Sequence, residues 1–225
     1  MGKAIFFSVP AYGDTNPLLA TLKELTLRGE HIIYYGTKEF KEIIEETGVE
    51  FREYKGNINY IDFDLAEKNM LGLLKSMLKF TYDKLTNNID DVYREKPDYI
   101  LHGSMSSHGK ILGRILNIKT INLLHSAPIG PGDIKPNIGL LFTFIFPLLG
   151  YMIYSRFNKN SLPYKIKKEF SYKINFMDLT VNREELNLVY SSEFLSPELA
   201  SKEKSFKFIG PSLYFKDRES KNYEV

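Results

Sequence analysis

Short apolar runs alternate along the chain with longer stretches in which apolar residues recur every three or four positions. The runs are typical of buried strands, and the recurring stretches are typical of helices with one buried face. The runs, together with two stretches in which charged and apolar residues are interspersed, at 49–54 and 206–209, predict strands at residues 4–9, 31–35, 49–54, 99–101, 118–124, 186–190 and 206–209. The recurring stretches predict helices at residues 17–29, 37–48, 65–93 and 110–116. This alternation predicts an α/β fold, a doubly wound Rossmann-like sheet of about six or seven mainly parallel strands with helices on both faces.

Composition and charge limit the functions that such a fold could serve. The 225 residues are 43% hydrophobic and 26% charged, as is usual for a folded soluble protein. A net charge of +2 and the lack of a basic stripe argue against a nucleic-acid partner. Cysteine is absent, which excludes disulfides and thiol nucleophiles, and the four histidines lack a metal-ligand spacing, so we predict no metal site. The first apolar run is too short for a signal-peptide core, and we expect a cytoplasmic protein.

Residues 137–155 form a segment without charge that consists mostly of large apolar residues. Three interpretations stay open: a transmembrane helix, the wall of an apolar ligand pocket, or an element that docks on a membrane surface. Pro147, near the middle of the segment, weakens a straight helix. We favour a pocket wall that includes Phe142 and Phe146 and opens toward lipid. The cations that follow and could meet anionic headgroups are Lys159, Lys165, Lys167 and Lys168.

The turn after the first predicted strand is the best candidate for a binding site. In a parallel sheet, ligands bind beyond the carboxyl ends of the strands, near the point where the strand order reverses. The turn reads Pro-Ala-Tyr-Gly-Asp-Thr-Asn-Pro over residues 10–17. It matches neither the dinucleotide fingerprint nor a Walker A sequence, so a generic nucleotide-binding domain is disfavoured. Asn16 and Pro17 fit the N-cap and first turn of the following helix.

Five short motifs occur in order along the chain. They are Ser-Val-Pro-Ala-Tyr-Gly-Asp-Thr-Asn-Pro-Leu-Leu at residues 8–19, Thr-Lys-Glu-Phe at 37–40, Pro-Asp-Tyr-Ile at 97–100, Leu-Asn-Leu-Val-Tyr at 186–190 and Phe-Ile-Gly-Pro-Ser at 208–212. Together they resemble the N-terminal, acceptor-binding domain of the macrolide-type UDP-glycosyltransferases. The resemblance extends over roughly residues 3–213.

The resemblance implies a GT-B fold, in which an N-terminal domain binds the acceptor and a C-terminal domain binds the nucleotide sugar. Residues 1–215 would form the acceptor-binding domain and residues 216–225 a polar tail, and nothing that resembles the donor-binding domain is present. The resemblance implies a UDP-sugar as co-substrate of the complete enzyme, with no cofactor bound by this half. The apolar segment at residues 137–155 predicts a lipophilic small-molecule acceptor. A separate donor-binding chain is the partner that would complete such an enzyme.

Two positions depart from the catalytic dyad of the family. The family's base is the histidine of Gly-His-x-Asn-Pro, where this chain has Asp14, and the aspartate that orients it corresponds to Gly103. An ordinary aspartate is a far weaker base than histidine, and glycine offers no carboxylate. A reversed pair of Asp14 with His102 is disfavoured, because adjacent residues of a strand face opposite sides. The residues predicted to contact substrate are Tyr12, Gly13, Asn16, His125, Ser126, Phe142 and Phe146.

Two functions are compatible with these observations. The first is half of a split glycosyltransferase that transfers a hexose from a nucleotide sugar to a lipophilic hydroxyl compound. The second is a non-catalytic binding or regulatory protein, and the missing dyad favours it. His125 ends the fifth predicted strand, and we predict that it lines the pocket rather than replacing the missing base. We expect no sugar transfer by the chain alone.

Overall fold

A computed structural model describes residues 2–57, 70–126, 128, 146–179 and 182–212. Within these residues, seven strands form one sheet in which all neighbouring strands are parallel. The strands are β1 (Lys3–Phe7), β2 (His31–Gly36), β3 (Glu50–Glu53), β4 (Tyr99–Gly103), β5 (Lys119–Leu124), β6 (Asn187–Val189) and β7 (Phe206–Phe208). Each predicted strand is confirmed, with ends that differ by at most about two residues, within the usual uncertainty of strand assignment.

The order of the strands places the turn after β1 at a crevice. The order is β3-β2-β1-β4-β5-β6-β7, so the chain moves outward in one direction from β1 and in the other from β4. The connections that follow β1 and β4 therefore diverge, which leaves a crevice at the carboxyl ends of these strands. Gly103 ends β4 and pairs with Leu123 of β5. The predicted doubly wound, Rossmann-like fold is confirmed.

Helices cover both faces of this sheet. They are α1 (Tyr12–Thr15), α2 (Leu19–Leu27), α3 (Lys41–Glu45), α4 (Met70–Glu95), α5 (Ser107–Leu116), α6 (Phe146–Phe157), α7 (Leu162–Phe170) and α8 (Pro197–Lys202). Ile5 and Phe7 of β1 pack with α4 and α5 on one face. Ala4 and Phe6 pack with α2 and α3 on the other face. Because β1 is buried on both faces, its sequence is a continuous apolar run rather than an alternating one.

The first helical region begins earlier than the sequence predicts. The chain becomes helical at Tyr12, and a 3-10 turn over Asn16–Leu18 connects α1 to α2. The amide of Asn16 donates to the carbonyl of Tyr12, and the amide of Thr15 donates to the carbonyl of Ala11 at 2.9 Å. These backbone bonds make a side-chain cap unnecessary, so the prediction that Asn16 caps the helix is wrong. Pro17 keeps its place in the first turn of the 3-10 segment.

Two other helical regions can be compared with the sequence. The helix predicted at residues 65–93 is present as α4, which runs without interruption from Met70 to Glu95. Residues 58–69 lie outside the described residues. Pro147 was expected to disturb a straight helix, and in the structure it is the second residue of the described part of α6, which is helical from Phe146 to Phe157. Residues 141–145 lie outside the described residues.

Glu184 joins the segment before β6 to the rest of the domain. Its side chain is 1% exposed, and its Oε2 lies 2.6 Å from Nη2 of Arg114 on α5. Its Oε1 lies 3.4 Å from Nε2 of the fully buried His102 in β4. The backbone amide of Glu184 donates to Oδ1 of Asn187, whose side-chain amide donates back to the carbonyl of Glu184 at 2.7 Å. This network fixes the start of β6 against β4 and α5.

Candidate functional site

The crevice brings together Asp14 and His125, which are far apart in the sequence. Asp14 lies in α1 after the end of β1, and His125 directly follows β5. Nδ1 of His125 lies 2.8 Å from Oδ1 of Asp14, and the two side chains are 23% and 3% exposed, respectively. A buried carboxylate therefore contacts an imidazole that is partly open to solvent. We refer to these two residues as the Asp14–His125 pair.

The carboxylate of Asp14 is held from the side of the sheet. The hydroxyl of Ser8 donates to its Oδ2 at 2.7 Å, and the amide of Val9 donates to the same oxygen at 3.2 Å. The carbonyl of Ser8 accepts from the hydroxyl of Tyr54 at 2.9 Å. One oxygen of the carboxylate is thus bound to the end of β1, and the other faces His125. The bond from Ser8 has the short length typical of hydrogen bonds to a carboxylate, so it orients this oxygen.

The contact between Asp14 and His125 is close but is not aligned as a hydrogen bond. Its 2.8 Å separation is short enough for a hydrogen bond, but Oδ1 of Asp14 has no well-oriented donor among the described residues. Catalytic hydrogen bonds are often poorly aligned before a ligand binds. Interaction with the Asp14 carboxylate raises the pKa of His125 above its ordinary value, although the partial burial of the ring acts in the opposite direction.

Gly103 leaves the space that the Asp14 carboxylate occupies. A Cβ atom added at Gly103 would lie 2.8 Å from Oδ2 of Asp14 and 3.4 Å from its Oδ1. Carbon and oxygen atoms that are not bonded prefer separations of about 3.5 Å or more, so a side chain at Gly103 would displace the carboxylate. Gly103, which the resemblance matches to an orienting aspartate, therefore lies next to a carboxylate that comes from Asp14.

The topology of the sheet explains the Asp14–His125 pair, which the sequence analysis did not foresee. Strands β1 and β5 lie on the two sides of β4, about 10 Å apart at the usual spacing of strands. The segments after β1 and β5 can reach each other over the end of β4 only if no bulky side chain lies between them. The glycine at position 103 in the intervening strand was the signal in the sequence that could have indicated this approach.

The buried histidines are separate from the pair. His102 is fully buried and contacts Glu184, so the reversed pair with Asp14 that the sequence disfavours does not form. Nε2 of His108 lies 3.0 Å from the hydroxyl of Tyr54. Complete burial lowers the pKa of His108 well below its ordinary value, so this ring stays neutral. Both residues contribute to the packing between the sheet and its helices.

Four other predicted contact residues lie on the surface. Tyr12 is 61% exposed, and its ring stacks edge-on against Phe40 with centroids 4.9 Å apart. Gly13 is exposed, and a Cβ atom added there would meet no atom within 4 Å. Packing within the chain therefore does not require glycine at this position. Asn16 and Ser126 are also exposed, so all four can be reached by a ligand.

A separate cavity of about 530 Å³ lies between α4, α6, α7 and the segment that follows α7. Its walls include Leu74 and Leu78 from α4 and Leu148 and Tyr151 from α6. Most of the wall is apolar. The cations at the cavity are Arg156, Lys167 and Lys173.

Of the two phenylalanines predicted to line the pocket, Phe142 lies outside the described residues. Phe146 begins α6 and is 52% exposed. In the described ranges, no three side chains of the kind that bind metals lie close together. In the same ranges, no helix combines the length and the apolar character that crossing a bilayer requires.

Comparison with known proteins identifies the class to which this fold corresponds. The structure aligns with the glycotransferase of kitacinnamycin with a TM-score of 0.75 and 23% identity, covering 97% of this chain and 53% of that one. It aligns with the calicheamicin glycosyltransferase CalG4 with a TM-score of 0.68 and 16% identity, covering 94% of this chain and 53% of that one. The chain thus has the α/β fold of one half of a GT-B glycosyltransferase.

Relatives by sequence are glycosyltransferases too. The chain is 27% identical over 227 residues to the uncharacterized UDP-glucosyltransferase YojK of Bacillus subtilis, covering 95% of this chain and 53% of YojK. It is 27% identical over 215 residues to the NDP-glycosyltransferase YjiC of Bacillus licheniformis, covering 92% of this chain and 50% of YjiC. No protein-family model matches the chain. The chain spans about half the length of these curated relatives, which is consistent with an N-terminal domain.

Proposed function

We propose that this chain is the acceptor-binding half of a glycosyltransferase that uses a nucleotide sugar. The observation that carries the proposal is the match of 95% of the chain to about half of a UDP-glucosyltransferase. A donor-binding half, on another chain or another domain, would complete the site. A UDP-sugar is the expected donor. Among the structural neighbours, the spinosyn rhamnosyltransferase SpnG has been crystallised with thymidine diphosphate.

The acceptor in this proposal is a lipophilic molecule with a hydroxyl group. The cavity of about 530 Å³ supports this choice, because pockets for small molecules usually enclose roughly 300–1,000 Å³ and are mainly apolar. Leu74, Leu78 and Leu148 form apolar walls that would favour such a ligand over a polar one. The hydroxyl group of the acceptor would have to reach the crevice, where the Asp14–His125 pair lies.

The purified chain alone is expected to transfer no sugar from UDP-glucose, and the chain joined to the donor-binding half of YjiC is expected to be active. The donor half supplies the groups that position the sugar and stabilise the leaving diphosphate. The measurement is product formation with a panel of lipophilic phenols and alcohols, with intact YjiC as the control. Turnover by the chain alone would contradict the proposal. An inactive hybrid beside active YjiC would favour a non-catalytic binding protein.

We further propose that α6 docks on an anionic membrane surface. Four apolar side chains lie along one exposed side of this helix at helical spacing, and we call them the α6 stripe: Phe146, Leu149, Ile153 and Phe157. Exposed cations lie on or near α6 and α7, and no described acidic side chain forms an ion pair with them: Arg156, Lys159, Lys167 and Lys168. An apolar stripe beside basic residues is typical of helices that lie in the interface of an anionic bilayer.

Flotation with vesicles tests this docking. The chain is expected to float with vesicles that contain phosphatidylserine at low salt and to remain unbound with purely zwitterionic vesicles. The pair Ile153→Asp and Phe157→Asp should reduce the bound fraction at least about tenfold, because each removes apolar contact and adds a repelled charge. Leu27→Asp, at an exposed apolar residue of α2, is the matched control. If the double variant floats as well as the unmodified chain, the α6 stripe does not bind the membrane. If the unmodified chain does not float and the double variant loses activity in the hybrid, the α6 stripe contacts the donor half instead.

A further inference from the structure

We propose that His125 is the catalytic base of this glycosyltransferase and that Asp14 is its positioning residue. This inference rests on the proposed function. The imidazole and the carboxylate would then come from different positions than in the family pattern. There, the histidine lies at position 14 and the aspartate at position 103. Here, Asp14 supplies the carboxylate next to Gly103, and the end of β5 supplies the imidazole.

The geometry divides the two roles between the two residues. Asp14 is 3% exposed, and its two oxygens face Ser8, Val9 and His125. An acceptor could not reach this carboxylate without displacing its partners. His125 is 23% exposed, and Nδ1 faces Asp14. In the tautomer that carries its hydrogen on Nδ1, the nitrogen next to the carboxylate, the ring presents the lone pair of Nε2 as the basic site.

The proton and electron pairs balance in a single displacement. The acceptor oxygen forms a bond to the anomeric carbon of the sugar while its proton passes to Nε2 of His125. The bond between the anomeric carbon and the diphosphate oxygen breaks, and the nucleoside diphosphate leaves with that electron pair. Asp14 stabilises the imidazolium that forms. The imidazolium then releases its proton to solvent, to which the ring is partly open.

The contact at Gly103 supports this assignment independently of the contact between Asp14 and His125. A Cβ atom at position 103 would lie 2.8 Å from the carboxylate oxygen that Ser8 and Val9 bind. Asp14 and the family's aspartate at position 103 would therefore compete for one space. The chain has a carboxylate in that space and no side chain at 103. This arrangement is expected if the site keeps a carboxylate in the same space but takes it from position 14 instead of position 103.

Few other groups near the pair change charge in the pH range in which a histidine titrates. Tyr34 on β2 faces Asp14, and burial raises the pKa of Tyr34 to about 12. Tyr54, after β3, also lies near Asp14, and burial raises the pKa of Tyr54 well above its ordinary value. Both phenols therefore stay neutral near pH 7, and Ser8 and Val9 of the β1 end do not titrate. Ionisation of the pair itself should dominate the pH dependence.

The first test uses the full chain joined to the donor-binding half of YjiC. His125→Gln should lower kcat by about 10²–10⁴-fold, the usual contribution of a general base, with a smaller change in KM. His31→Gln, at an exposed histidine next to Glu50, is the matched control and should leave kcat unchanged. In Asp14→Asn, the maximum of kcat should be lower, and kcat should begin to rise at a lower pH. The neutral imidazole of His125 is the active form, and without the Asp14 carboxylate the pKa of His125 would no longer be raised. Asp14→Glu should recover part of the activity.

A second test measures the ionisation of His125 in the Asp14–His125 pair and does not depend on catalysis. The imidazole signals of the purified chain are followed by NMR against pH, and His125 is assigned by its loss in His125→Gln. We expect the pKa of His125 to lie above the ordinary value of about 6.5 and to fall in both Asp14→Asn and Gly103→Ala. Unchanged titration in Asp14→Asn would overturn the pair. If the hybrid is active and His125→Gln keeps full activity, His125 is not the base, and the proposed function still stands. If the unmodified hybrid is inactive beside active YjiC, the proposed function itself is overturned.

Discussion

Replacing Glu184 with alanine is expected to lower the free energy of unfolding by about 2–4 kcal/mol. The side chain is 1% exposed and contacts Arg114 and His102. Its removal leaves the buried Nε2 of His102 without this partner and opens a cavity, whereas Arg114, which is 48% exposed, can be solvated. The start of β6 would lose its side-chain connection to β4 and α5. The loss would be a large part of the stability of a typical domain, which is about 5–15 kcal/mol.

Urea denaturation followed by circular dichroism measures this effect. Glu185→Ala is the matched control, because Glu185 is the exposed neighbour of Glu184 and its loss should change the stability by no more than about 0.5 kcal/mol. Glu184→Gln keeps the size of the side chain and separates the loss of charge from the cavity. If Glu184→Ala and Glu185→Ala unfold at the same urea concentration, the network around Glu184 does not stabilise the domain.

The strands could be predicted from the sequence because each leaves a local signal. Central strands of a parallel sheet are buried on both faces, so runs such as residues 4–7 are continuously apolar. Helix ends were harder to predict. Asparagine is common at helix N-caps, but at Asn16 the chain has been helical since Tyr12, and the amide of Asn16 donates to the backbone carbonyl of Tyr12. Composition alone does not distinguish these cases, because the difference lies in the backbone angles of the preceding residues.

The candidate site was predicted only in part, because it depends on which strands are neighbours. Alternation along β4 correctly placed His102 away from Asp14, since alternation is a local property of a strand. The contact of Asp14 with His125 requires β1 and β5 to flank the same strand, and it requires space above Gly103. Neither condition can be read from one segment. The prediction that His125 lines the ligand pocket remains compatible with its position, and its role as the base is the proposal to be tested.

Moving the dyad back to the family positions should restore activity to a hybrid that lacks His125. In the chain joined to the donor half of YjiC, His125→Gln removes the proposed base. Adding Asp14→His and Gly103→Asp together should recover at least about tenfold of the lost kcat, because the imidazole and the carboxylate would again be neighbours. Full recovery is not expected, because Ser8 and Val9 are placed to bind a carboxylate from position 14.

The single changes should behave very differently from the combination. Gly103→Asp alone would place a second carboxylate against Asp14, at a position where even a Cβ atom would lie 2.8 Å from Oδ2, so steric overlap and like-charge repulsion should destabilise the domain. Asp14→His removes that conflict, so the double variant should be more stable than the sum of the single changes by about 0.5–3 kcal/mol. Urea denaturation of the four variants of this cycle measures the coupling. Additive effects on stability, together with no recovery of kcat, would show that positions 14 and 103 do not share one carboxylate space.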